Sequence, residues 1–112
     1  MLNKIILFVF ALLVIVSGIY ALRDDKEFTT SSDEAHQLYL ESEDLAYKLY
    51  FMESSDKLHQ ALELDSNFAM ALVALAERYN MYGHTEKRDS LLKRALARYD
   101  RLKDYEKLYI DI

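Results

Sequence analysis

Two stretches of this chain match each other at an offset of thirty-four residues, and that offset limits the fold more than any other feature. With Ala35 set over Ala69, Leu38 falls on Leu72, Ser42 on Ala76, Leu45 on Tyr79, Leu58 on Leu92 and Ala61 on Ala95. A period of this length holds one supersecondary unit. Within the second copy, Leu72, Leu75, Ala76 and Tyr79 stand at spacings of three, four and seven, which make one face of a helix. The chain has no proline and only two glycines, a composition that suits helices better than strands. The expected fold is all-α: an N-terminal hydrophobic helix, two antiparallel helical hairpins and a short C-terminal helix.

Local signals place the elements. Ser31 and Glu34 have capping-box spacing, so a helix begins near Ser32 and carries Leu38, Ser42, Leu45 and Leu49 on one stripe. It ends between Tyr47 and Glu53, where no glycine marks the place. Ser54 or Ser55 is a plausible cap for the next helix, which runs through Leu58, Ala61 and Leu62 to about Leu64. Asp65, Ser66 and Asn67 supply a turn. The clearest helix then spans 68–82, and Gly83 follows it as the residue able to turn left-handed. Thr85 can cap a last long helix over 86–101, with Leu91, Leu92, Ala95, Leu96 and Tyr99 inward. Residues 103–112 form a helical stub whose Leu108, Tyr109 and Ile110 lie over the second hairpin.

Residues 33–100 resemble the tetratricopeptide repeat family. In the second unit Leu72, Leu75, Ala76 and Tyr79 occupy the W-x-x-L-G-x-x-Y positions, Gly83 ends the first helix, and Leu92 and Ala95 stand at the Phe and Ala positions of the second. Leu72 replaces the common tryptophan, Arg88 stands where a small alanine is usual, and Asp100, like Ser66 before it, replaces the closing proline. The first unit matches less well at Glu41, at Ser54 and at the missing glycine. The resemblance implies that Leu38, Leu45, Leu58, Ala61, Leu72, Leu75, Ala76, Tyr79, Gly83, Leu92 and Ala95 build the repeat. It also implies a peptide groove along His36, Tyr39, Glu43 and Tyr47 in the first unit, and Met70, Val73, Glu77, Asn80 and Met81 in the second. Relatives that grip a peptide carboxylate use Lys and Asn on this face. Glu43 and Glu77 stand there instead, so the face suits a basic or apolar segment.

The N-terminus is of another kind. Residues 5–16, IILFVFALLVIV, are wholly apolar, and the run extends to Leu22 if Ser17, Gly18 and Tyr20 are tolerated. It reads either as a signal peptide cleaved after Ala21 or as a membrane anchor over 5–22, whose roughly 27 Å rise approaches the ~30 Å bilayer core. The positive-inside bias of Lys4 sets the rest of the chain on the non-cytoplasmic side, single-pass if uncleaved and secreted or periplasmic if cleaved. Residues 23–32 are expected to form a polar tether between 1–22 and a helical domain over 33–102.

Thirteen bases and nineteen acids follow Leu22, a net −6 that argues against nucleic acid as a partner. Residues 24–65 carry −9 (three bases, twelve acids) and residues 66–112 carry +2 (nine bases, seven acids). The basic run Lys87, Arg88, Lys93, Arg94, Arg98, Arg101 and Lys103 is a solvated face, a match for the acidic hairpin of a second copy, or a contact for anionic lipid. Cysteine is absent, which excludes disulfides, thiolate nucleophiles and zinc knuckles. Asp33–His36 and Asp56–His59 have the spacing of di-iron ligands but lack the facing inward glutamates. No phosphate loop, catalytic triad or H-E-x-x-H is present. The expectation is a non-catalytic protein-binding module without metal or cofactor. The alternatives are a small single-pass accessory subunit and a fragment of a longer repeat protein. Two hairpins and a stub are marginal alone, so self-association or docking to a protein partner is expected.

Overall fold

The computed structural model describes residues 2–22, with side chains to residue 17, and residues 26–111; every statement below concerns these. The chain forms α1 (Leu2–Leu22), α2 (Asp33–Tyr47), α3 (Phe51–Leu64), α4 (Ala69–Met81), α5 (Thr85–Leu96), a 3-10 turn (Tyr99–Arg101) and α6 (Asp104–Asp111). Among the described residues there is no strand. Packing joins α2 with α3 and α4 with α5 as hairpins, and α3 with α4 between them.

α2 starts one residue later than capping-box spacing implies. Ser32 is the cap, and its hydroxyl accepts the Ala35 N–H at 3.0 Å. Asp33 and Glu34 in the first turn complement the helix dipole. The helix stops at Tyr47 although no glycine follows. Leu49 takes φ 67°, its N–H donates to Ala46 O at 2.9 Å, and the Tyr50 N–H donates to Leu45 O at 2.8 Å. This pair of bonds is a Schellman motif, satisfying carbonyls that the helix leaves open. Leu49 therefore leaves the inward stripe expected of it and is exposed.

The early turn moves α3 forward. It begins at Phe51, so neither serine caps it: Ser54 is buried inside the helix, and the Ser55 hydroxyl donates to Phe51 O at 2.9 Å. α5 begins with Thr85 as its first residue and ends at Leu96, short of the expected 101. Leu96 is exposed, and Tyr99 lies half-buried in the 3-10 turn, donating its hydroxyl to Asp111 at 2.8 Å.

The core lies around α4. Residues 68–76 are all buried, and with Leu58, Ala61, Leu91 and Ala95 they form one apolar cluster. Tyr39 joins it between Phe28, 4.9 Å away edge-on, and Phe68 at 5.3 Å. Of the expected repeat-building residues, Leu58, Ala61, Leu72, Leu75, Ala76 and Ala95 are buried, whereas Leu38, Leu45, Tyr79 and Leu92 are partly so. The outer side of the first hairpin differs. Gln37, Leu40, Glu41, Asp44 and Lys57 line an open groove there, with Lys57 paired to Glu41 at 3.2 Å. Thirty-four residues on stand Ala71, Ala74, Leu75, Arg78 and Leu91, all buried. Polar residues at the end of a helical stack do the work of a cap, keeping an uncovered face wet.

Residues 26–31, expected as part of a tether, are fastened to the domain; 23–25 lie outside the described residues. Glu106 is fully buried. Its carboxylate accepts the Thr29 N–H at 3.0 Å, the Thr29 hydroxyl at 2.6 Å and the Lys103 N–H at 3.1 Å. Lys103 Nζ donates in turn to the carbonyls of Lys26 and Glu27. On the other side, the Thr30 hydroxyl and the Ser31 N–H donate to Asp65 at 2.6 and 3.1 Å. The segment thus straps the beginning of the domain to its end.

One expectation is corrected. Among the described residues no helix is long and apolar enough to cross a membrane. The single-pass location and the outward placement that followed from it are therefore not upheld. The large apolar side chains of α1 from Leu2 to Val16 are nonetheless exposed and take no part in the core cluster.

Candidate polypeptide-binding groove

Four positions show how one hairpin covers the next. In the first hairpin, which α4 follows, Tyr39, Ser42, Ser54 and Leu58 are all buried. The matching positions of the second hairpin are Val73, Ala76, Arg88 and Leu92. There α6 follows, only eight residues long. Val73 and Ala76 are buried, whereas Arg88 and Leu92 remain half-exposed. The uncovered part is a groove of about 500 Å³ between α4, α5 and α6. Val73, Ala76, Leu92 and Ile110 give it apolar walls; Glu77, Asn80, Met81, Arg88 and Tyr109 supply the rest.

The polar rim is partly fixed. Arg88 donates to Asn80 Oδ1 at 2.7 Å and to Asp89 at 2.8 Å, which holds both side chains in place. Glu77 has its side chain exposed. Burial first, and then the nearby charges of Glu43, Glu77 and Glu27, push the Tyr39 hydroxyl far above the usual tyrosine range. Partial desolvation likewise raises the Glu43 carboxyl, opposed by Arg78 and assisted by Glu77. The groove lining itself carries one carboxylate, Glu77, and one cation, Arg88.

Of the nine residues expected to line a peptide groove, Val73, Glu77, Asn80 and Met81 meet at this one. The others are elsewhere. Tyr39 and Met70 are core residues. His36 accepts the Phe28 N–H through Nε2 at 3.2 Å and so holds the strap. Tyr47, the last residue of α2, and Glu43 on the same helix are exposed. On the first hairpin, Phe28 of the strap lies against His36 and Tyr39. Sequence reasoning placed Leu92 and Ala76 among packing residues and Tyr109 and Ile110 in a cap. The thirty-four-residue shift of the covered set Tyr39, Ser42, Ser54 and Leu58 carries the signal that would have found the groove.

The remaining candidates are engaged otherwise. Several members of the basic run contact their own chain: Arg94 donates to Ser66 O at 2.9 Å, Lys87 lies 5.2 Å above the Tyr79 ring, and Lys103 holds the strap. Among the described residues no three His, Asp or Glu side chains come together as metal ligands. No family model, curated protein or solved structure matches the chain.

Proposed function

We propose that this chain is a non-catalytic, tetratricopeptide-like module that binds a helical polypeptide segment in the α4–α5–α6 groove. One observation carries the reading: the slot that α4 fills on the first hairpin is only half filled on the second. Apolar walls left by an unfilled helix position favour a segment with small or apolar residues on one face, read at helical spacing. Glu77 in the lining favours Lys or Arg beside that face.

The test is binding of the full chain to a panel of amphipathic peptides that vary independently in apolar face and charge. Basic amphipathic helices are expected to bind best. Leu92→Arg, which places a charge on the apolar wall, should weaken them by about tenfold or more. Glu77→Lys should shift the preference toward acidic peptides, and Gln37→Arg at the opposite end should change nothing. Binding that ignores both groove substitutions would remove the proposal.

A further inference from the structure

Arg78 is anomalous where the hairpins meet. It is 7% exposed, and its Nε is buried without a hydrogen-bond partner. Among the described residues it makes no ion pair. Its guanidinium lies 5.3 Å over the Phe51 ring, a contact that offsets only part of the cost of taking a cation out of water. The stack does not demand a cation here, since an apolar side chain of similar length would fill the same space. A buried guanidinium whose Nε has no partner, and whose charge reaches Glu43 without forming a contact ion pair, is left short of hydrogen bonds.

The other half is space. Arg78 lines a cavity of about 300 Å³ between α3 and α4, with Met52, Ser55, Asp56, His59 and Tyr82 around it. No residue lines both this cavity and the α4–α5–α6 groove. Met52 and Tyr82 are exposed, which makes the mouth apolar.

We propose that this cavity receives a monoanionic carboxylate on a short apolar stem, held by Arg78. The planar fork of a guanidinium matches the two oxygens of a carboxylate. The Met52 and Tyr82 side chains give the stem apolar contact. Asp56, on the same wall, opposes a second negative charge and so disfavours a phosphate dianion. A free short-chain acid and the C-terminal residue of a polypeptide present the same chemistry, and the experiment separates them.

The full chain, labelled with ¹⁵N, is titrated with sodium butyrate against sodium chloride of equal ionic strength while the Arg78 Nε–H resonance is followed. A second arm uses an acetylated peptide ending in leucine, as free acid and as amide. Butyrate should shift the resonance saturably. Arg78→Met should stay folded, with an unchanged or higher melting temperature, and lose the response at the Ser55 and Asp56 amides. Asp56→Asn should tighten butyrate severalfold. Peptide acid binding about tenfold tighter than butyrate, with no response to the amide, assigns the site to a polypeptide terminus; equal affinity assigns it to a free acid. The proposal is overturned by a wild-type resonance that does not saturate, or by an equal response in Arg78→Met. It is also overturned if Asp56→Asn lowers the melting temperature without tightening butyrate, because Asp56 would then be closing over Arg78 itself.

Discussion

Leu49 and Gly83 stand thirty-four residues apart and adopt the same left-handed backbone, φ 67° and 78°, each one residue beyond its helix cap. Around each, the same two bonds close the helix: Leu49 to Ala46 and Tyr50 to Leu45 in one hairpin, Gly83 to Asn80 and His84 to Tyr79 in the other. The motif persists without its usual glycine because four flanking positions, with their carbonyls to satisfy, still impose it.

That equivalence predicts opposite responses to opposite substitutions. Leu49→Gly should stabilise the domain by about 1 kcal/mol, since a branched residue is strained at positive φ and Leu49 contributes little burial. Gly83→Ala should destabilise by about the same amount, although nothing lies within 4 Å of an added Cβ. Urea denaturation of the two variants measures both; a loss of stability in Leu49→Gly would refute the shared motif as the source of strain.

Ser54 is fully buried with its hydroxyl unpartnered. Ser54→Ala should therefore raise stability by about 1 kcal/mol, because it removes a desolvated polar group and almost no volume. Ser42 is the contrast: its hydroxyl donates to Tyr39 O at 2.6 Å, so Ser42→Ala should gain nothing and lose up to about 1 kcal/mol. Paired melting curves decide between the two signs.

The strap depends on Glu106. Glu106→Ala abandons the Thr29 N–H, the Thr29 hydroxyl and the Lys103 N–H together. The expected cost is about 3 kcal/mol. Hydrogen exchange at the Thr29 amide should accelerate more than exchange in α4. In a double-mutant cycle with Thr29→Val the two losses should add to less than their sum, because both substitutions break the same bonds.

Asp65 sets a response to acid. Burial pulls its carboxyl upward, but hydrogen bonds from Thr30, Ser31 and Asn67 outweigh that and hold it below the usual carboxylate range. A folded-state value below the unfolded one gives stability that is complete above the unfolded value, about 4, and is lost as pH falls through the folded value. Asp65→Asn should therefore be less stable than wild type near neutral pH, and the difference should shrink below pH of about 4. A constant difference across the titration would contradict this.

The helical hairpins were legible because their signal is local. Leu72, Leu75, Ala76 and Tyr79 repeat at helical spacing, and Gly83 marks an end by its own chemistry. The α2 end was not marked, because Leu49 accepts a left-handed backbone only under the pull of neighbouring carbonyls. Part of the groove was legible as well, through Val73, Glu77, Asn80 and Met81. Tyr39 and His36 were misjudged because Phe28, from a segment without periodicity, reaches over both of them. The length expected of a membrane span came from counting tolerated residues at the end of the apolar run. Among the described residues no helix is long and apolar enough to cross a membrane, which corrects that expectation.

The sequence by itself determined the all-α character, the phase of the two hairpins and the acidic cast of the first, since each depends on residues near one another in the chain. Only the tertiary structure decided that residues 26–31 bind to Glu106 and Asp65, that Arg78 is buried beside empty space, and that the second hairpin keeps an open slot. Those outcomes depend on which side chains far apart in sequence meet. A pattern of apolar spacing records which face is turned inward, and is silent on what is found there.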